Sequence, residues 1–204
     1  MEIAIIAHEA ALAAWAANAR EGTRVLGIQS PEEAPEGALL IDCEYDGTAL
    51  RGSQLRAHKG AVWVSDVPGH AIGITGFVRF NGWNAAAARI EAAGTSEVQA
   101  AAEEAAAALG KTIEWVPDTP GFVTARVIAM IINEAYHACS EGVSTKEDIN
   151  TAMKLGTNYP FGPFEWAAQI GLKHVVELLR ALAHKNGRYA PNALLLQEAG
   201  EKER

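Results

Sequence analysis

Six histidines and two cysteines stand among the side chains of this 204-residue chain that could do chemistry, and the first candidate group is Ala7, His8, Glu9, Ala10. It follows an apolar run at residues 3–6 and leads into an alanine-rich helix pattern. A strand–turn–helix junction grips a nucleotide phosphate when glycines let the backbone approach and the helix N-terminus offers its N–H groups. Here the turn has no glycine. His8 and Glu9 fill the space, and Glu9 sets a negative charge where a phosphate would lie, while suiting a helix start on its own account. The acidic residue that would take a ribose, about 20 residues further on, falls at residues 28–30, where none is acidic, although Glu32 and Glu33 are near. The turn is therefore expected to support a sheet rather than hold a dinucleotide. His8 is the histidine with most claim to a reactive role, a helix-cap role being the plainer alternative. His70, beside Pro68 and Gly69, reads as a solvated turn residue, and His137 and His174 as surface or partly buried helix residues. Cys43 and Cys139 read as buried free thiols, and no metal-ligand spacing occurs.

The elements that must position these residues follow from periodicity. Strand patterns occur at 1–6, 23–28, 38–43, 61–67, 71–80 and 111–116, with helix patterns at 8–20, 47–58 and 96–110. Ser96 is expected as the N-cap of the third helix, with Gln99 closing a capping box and Gly110 ending it. Continuous apolar strands separated by helices imply a mostly parallel sheet covered on both faces. After Pro117 only helices are expected. The first, from about 121 to 140, is apolar nearly all round and should be buried on most sides, a subunit interface being one source of that burial. Gly142 can end it; Ser144 and Glu147 are expected to cap the next helix, and Pro191 to open the last. Asp118 reads as a helix-start residue, Glu165 as a first-turn acid with a packing role at the domain junction, and Trp83, Trp115 and Trp166 as packing residues or the lining of a cleft.

Bulk composition narrows the classes. The chain is 49% hydrophobic and 21% charged, with a formal net charge of −8. That disfavours nucleic acid and anionic lipid as partners. The most apolar stretch, 122–139, contains Arg126, Asn133 and Glu134, which excludes a membrane span there. No basic n-region precedes the first apolar run, so no secretory leader is expected, and a reducing, cytoplasmic compartment is the default.

Residues 118–172 carry a series of ordered motifs: D-x-P-G-F at Asp118, N-E-A at Asn133, G-V at Gly142, E-D-I at Glu147 with A-M and G following, and P-x-G-P-F-E from Pro160. This segment resembles the C-terminal helical domain of the 3-hydroxyacyl-CoA dehydrogenases, and the similarity continues through 187–200. The resemblance implies a Rossmann-like parallel-sheet domain of the NAD-binding type at 1–117, shortened and lacking the glycine fingerprint, followed by an all-α dimerisation domain at 118–204. It implies NAD as the family's cofactor, an acyl-CoA ligand and a homodimer made by the C-terminal helices. Carried onto matching positions, Asp42, Asp46 and Arg51 take the cofactor-side places of two acids and a lysine. Ser65, Asn81 and Glu91 take catalytic-side places. Val78 stands where the family has its catalytic histidine, Ala125 where it has an active-site asparagine, and Asp66 where it has another asparagine.

Hydride removal from a secondary alcohol needs a base for the hydroxyl proton, help typically worth ~10²–10⁴-fold. Valine accepts no proton and alanine orients no oxygen. Asn81 could donate to a thioester oxygen or cap the turn after it, and Glu91 without its histidine reads as a surface carboxylate. Three functions remain: a dehydrogenase using displaced groups, a silent relative that binds acyl-CoA or a partner, and a helper subunit whose site a second chain completes.

Overall fold

In the computed structural model, which describes residues 1–202, the chain divides into two compact units, the first being Met1–Phe122 and the second starting at Val123. The sequence reading set this border at Pro117.

The first unit contains β1 (Glu2–Ile6), α1 (Glu9–Ala16), β2 (Arg24–Ile28), β3 (Leu39–Asp42), α2 (Ala49–Ala57), β4 (Val62–Ser65), β5 (Phe77–Phe80), β6 (Arg89–Ala93), α3 (Ser96–Ala108) and β7 (Thr112–Trp115). The strands form one seven-stranded sheet in the order β2-β1-β3-β4-β5-β6-β7. Pairings from β2 to β5 are parallel, β5–β6 is antiparallel and β6–β7 is parallel. Because side chains alternate along a strand, Ile3 and Ile5 join Leu39, Ile41, Trp63, Val78 and Phe80 beneath α1 and α3. Ala4 and Ile6 join Leu40, Val62, Val64 and Phe77 on the opposite face, with Leu55 of α2. Burial on both faces explains why these strands read as unbroken apolar runs.

Several boundaries differ from the sequence reading. The helix expected at 8–20 spans Glu9–Ala16. The strand expected at 71–80 is confined to Phe77–Phe80. Strand β6 was not expected at all: Arg-Ile-Glu-Ala-Ala has little β-branching, and pairing with β5 and β7 overrides its alanines. The N-cap of α3 is Thr95 rather than Ser96, and Gln99 donates instead to the Gly94 carbonyl at 3.2 Å.

The second unit contains α4 (Thr124–Ser140), α5 (Lys146–Thr157), α6 (Pro163–Ile170), α7 (Leu172–Ala183) and α8 (Ala193–Glu198). Helix α4 buries Ala125, Ala129, Ile132, Asn133, Ala135 and Tyr136 but leaves Val123 and Val127 exposed, so it is not covered all round. Thr145, not Ser144, caps α5 and accepts the Asp148 N–H at 3.2 Å. Asn192, not Pro191, caps α8 and accepts the Leu194 N–H at 2.8 Å. Helix α7 buries Val175, Val176, Leu178, Leu179 and Leu182 along one stripe, as its leucine and valine spacing demands. Among the described residues no helix is long and apolar enough to cross a membrane.

Candidate functional site

In an open α/β sheet, ligands bind outside the carboxyl ends of the strands, at the point where strand order reverses. Here that point lies between β1 and β3. At the end of β1, His8 caps α1: its Nδ1 accepts the Ala11 N–H at 3.4 Å, and Glu9 occupies the first helical turn. At the end of β3, Asp42 is fully buried and accepts two bonds from Arg51, Nε at 2.7 Å and Nη2 at 3.1 Å. The Glu44 N–H reaches the same carboxylate at 3.0 Å. Asp46 accepts the Thr48 N–H at 2.9 Å and its hydroxyl at 2.8 Å. The backbone bond from Thr48 holds the Asp46 carboxyl below its ordinary range, and the Asp42 carboxylate raises the Arg51 guanidinium above its own. Asp42 and Arg51 thus form one ion pair, while Asp46 is bonded to Thr48 and lies close enough to feel the Arg51 charge.

The catalytic-side residues meet one strand over. Ser65 ends β4 and pairs in register with Phe80, the last residue of β5, so Ser65 and Asn81 stand at adjacent strand ends. A Cβ on Gly82 would lie 2.1 Å from Ser65 Oγ, so glycine permits that approach. The Asn81 amide donates to Glu91 Oε2 at 3.1 Å, and Asn81 Oδ1 accepts the Trp83 N–H at 3.2 Å. Glu91 is therefore half-buried on β6 against Asn81, not a solvated surface carboxylate. Val78, at 2% exposure, faces the core beside Trp63, and Ala125 is fully buried in α4. Neither can be replaced by a group on the same atom.

Three features were missed from sequence. Asp66 is buried and accepts N–H bonds from Gly69 at 3.0 Å, His70 at 3.0 Å and Ala71 at 2.6 Å. His70 Nδ1 lies 3.3 Å from Asp66, and its ring lies against Gly47, where a Cβ would stand 2.5 Å from Cγ, so His70 is an ordered hydrogen-bonding neighbour of Asp66 rather than a solvated turn residue. Burial raises the Asp66 carboxyl, but the His70 side chain, the Ala71 and His70 N–H groups and the Arg79 charge outweigh it and leave the pKa lowered. Arg79, on β5, donates to Asp118 Oδ1 at 2.7 Å, to the Thr119 carbonyl at 2.6 Å and to the Asp66 carbonyl, and its guanidinium lies 4.2 Å from the Phe122 ring centroid. Asp118 also accepts the Gly73 N–H at 3.1 Å, so it anchors a loop and does not start a helix. The third feature is Lys111, which is buried at the head of β7. A lone arginine inside an apolar strand was the visible signal for the Arg79 group, because such a charge is buried only when paired.

The tryptophans are placed within their own units. Trp83 binds Asn81 as above; Trp115 Nε1 donates to Glu103 at 2.8 Å; Trp166 lies 5.2 Å from Tyr159, ring to ring. Glu165 is a first-turn acid, accepting the Gly162 N–H at 2.8 Å and Lys154 Nζ at 2.5 Å, and those bonds, the lysine's first, lower its pKa. In the helical unit, His137 Nδ1 is 3.0 Å from Asn192 Nδ2, and a Cβ on Gly171 would meet the His174 ring at 3.4 Å. Cys43 and Cys139 are free, and burial, with the Asp42 charge, pushes the Cys43 thiol up to about 12. Among the described residues no cluster suits a metal ion.

The family described as 3-hydroxyacyl-CoA dehydrogenase, C-terminal domain, matches residues 121–204. The 3-hydroxyadipyl-CoA dehydrogenase of Escherichia coli K12 is 49% identical over 92 residues, covering 44% of this chain and 19% of the relative. A 3-hydroxybutyryl-CoA dehydrogenase of Bradyrhizobium diazoefficiens is 38% identical over 104 residues, covering 49% of this chain and 36% of the relative. These matches span well under half the length of either relative. The crystal structure of (S)-3-hydroxybutyryl-CoA dehydrogenase from Ralstonia eutropha superposes with a TM-score of 0.75 at 19% identity, covering 98% of this chain and 93% of that one. Its likeness is one of fold: a Rossmann-type sheet with a helical C-terminal part. Residues 121–204 thus match the C-terminal domain of the 3-hydroxyacyl-CoA dehydrogenases, and the sheet unit is like such proteins in fold.

The dinucleotide such a sheet would hold does not fit the first turn as folded. The Ala11 N–H, a helix-end donor that a diphosphate would use, is taken by His8, and Glu9 repels an anion there. Near the place expected for a ribose-binding acid, Glu33 accepts the Gln29 N–H at 3.3 Å and the Ser30 hydroxyl at 3.1 Å, and Asp42 is buried on Arg51.

Proposed function

We propose that this chain is a dehydrogenase-family protein that binds 3-hydroxyacyl-CoA or 3-oxoacyl-CoA thioesters without carrying out NAD-dependent turnover by itself. The observation that carries this reading is the capped first turn: a glycine-free helix N-terminus, its Ala11 N–H taken by His8 and Glu9 in its first turn, stands in the same chain as a family helical domain. Ser65 and Asn81, at adjacent strand ends, are the groups offered to the thioester, with Glu91 orienting the Asn81 amide. The exposed Val123 and Val127 on α4, continued by the half-buried Ile131, form an apolar stripe at i, i+4 spacing that suits a second copy of the chain. Acetoacetyl-CoA titrated against the intrinsic tryptophan fluorescence should bind, and NADH should neither bind nor be consumed in its presence. NADH-dependent reduction of acetoacetyl-CoA at ordinary dehydrogenase rates would refute the reading.

A second reading is a helper subunit whose partner supplies coenzyme and base. The closure of the ionic groups at β3 and the retention of the helical unit favour it. Mixing with a full-length family dehydrogenase should then give a complex of increased mass, which the first reading does not require.

A further inference from the structure

Lys111 carries a buried ammonium that the site described above does not use. Gly110 ends α3 in the left-handed region, with φ at +68°, where a Cβ would stand 2.5 Å from the Asn18 carbonyl oxygen. The Lys111 N–H then returns to the Ala106 carbonyl at 2.8 Å. This closure fixes the Lys111 backbone at the head of β7. The side chain is 5% exposed, and Nζ donates to the carbonyls of Ala85 and Ala87 at 2.7 Å each. Nζ also lies 4.8 Å from the ring centroid of Trp15, itself 1% exposed. Burial lowers the Lys111 pKa. An ammonium out of water is costly unless its protons are bonded, so what it binds is informative.

It binds residues 82–88, the loop that joins β5 to β6. After Gly82, Trp83 and Asn84 this loop consists of four alanines, Ala85 to Ala88. Alanine has no atom beyond Cβ with which to anchor itself, so backbone carbonyls are the handles available. The loop begins at Asn81 and ends just before the strand bearing Glu91. The Asn81 Nδ2–Glu91 bond spans its two stems, and the Trp83 backbone N–H bond to Asn81 Oδ1 closes the turn at its start.

We infer that Lys111 is a positioning residue for the acyl-thioester site: by holding the Ala85 and Ala87 carbonyls, it fixes the loop that sets the Asn81 amide. This rests on the reading that the site takes a thioester. The ammonium touches neither ligand nor reacting atoms and acts through Asn81.

The test is acetoacetyl-CoA titration of the wild-type protein, Lys111→Met and Lys111→Arg, with amide hydrogen exchange read over residues 82–88. Lys111→Met should weaken acetoacetyl-CoA binding about tenfold, the scale of losing hydrogen bonds from a charged donor, and speed exchange across the loop. Lys111→Arg, which keeps charge and donors, should restore part of both. Should Lys111→Met fail to fold, Lys111→Gln, which keeps a neutral donor, is read on the same two axes. A folded variant with wild-type affinity and wild-type loop exchange overturns the inference. A wild-type protein that ignores acetoacetyl-CoA overturns the functional reading instead, and loop exchange in the variants then decides by itself whether Lys111 holds the loop.

Discussion

The two units use their polar side chains differently. In the sheet unit, Asp42 closes on Arg51, Asp66 on its own loop and His70, Arg79 on Asp118, and Asn81 on Glu91. Each of these groups has a partner inside the unit. In the helical unit, polar bonds such as Tyr136 to Glu198 at 2.8 Å and Asn192 N to Asn133 at 2.8 Å join helices to one another, while apolar Val123 and Val127 are left exposed on α4. The sheet unit closes its polar groups on one another. The helical unit has kept the family's sequence and an apolar stripe to offer. A fold survives on alternation of apolar residues, which many sequences satisfy; a coenzyme site needs particular small or polar residues at a few positions and is lost with them.

The largest expected effect sharpens this contrast within the sheet unit. Asp42→Ala leaves the Arg51 guanidinium, 16% exposed, without its carboxylate and should cost about 3–5 kcal/mol in urea unfolding. A value within experimental error of zero would show that Asp42 is not committed to structure and stands ready for a ligand.

The pH dependence comes next. The Asp66 pKa is lowered in the folded protein, so its contribution to stability is present above the ordinary aspartate value, near 4, and is lost as pH falls through the lower folded value. Asp66→Asn should therefore flatten the acid limb of the stability curve below about pH 4. An acid limb as steep as that of the wild type would break the claim that this carboxylate is spent on its loop.

Smaller effects belong to helix ends. Thr145→Ala should cost about 1 kcal/mol through loss of the α5 cap, and His8→Ala about 0.5 kcal/mol, because its 3.4 Å bond is long for an N-cap. Thermal unfolding ranks the pair; a His8 effect larger than that of Thr145 would mean that the imidazole does more than cap α1.

Much of this was legible in the letters. The parallel sheet followed from unbroken runs such as Leu39 to Asp42, and the helical unit from leucine spacing in α7 and ordered motifs after Asp118. The His8 cap at the first turn was legible as the plainer alternative for that histidine, because it stands just before the alanine-rich helix pattern. Other features depend on partners distant in sequence. Strand β6 exists because β5 and β7 flank it; His70 is ordered because Gly47 lets its ring approach; Arg79 reaches Asp118 across 39 positions. Local pattern carries none of these contacts. The caps at Thr95 and Thr145 lie one residue from the expected Ser96 and Ser144, since neighbouring Ser and Thr satisfy the same preference and only backbone conformation selects between them, and the last helix starts at Ala193, two residues after Pro191.

The most direct test is isothermal titration of the intact protein with NADH at near-neutral pH, followed by His8→Gly/Glu9→Gly in the same cell. The account expects no binding to the wild-type chain and at most weak binding once the imidazole and carboxylate are removed. Micromolar NADH binding to the wild-type chain, abolished by a charge placed at Ala10, would contradict it.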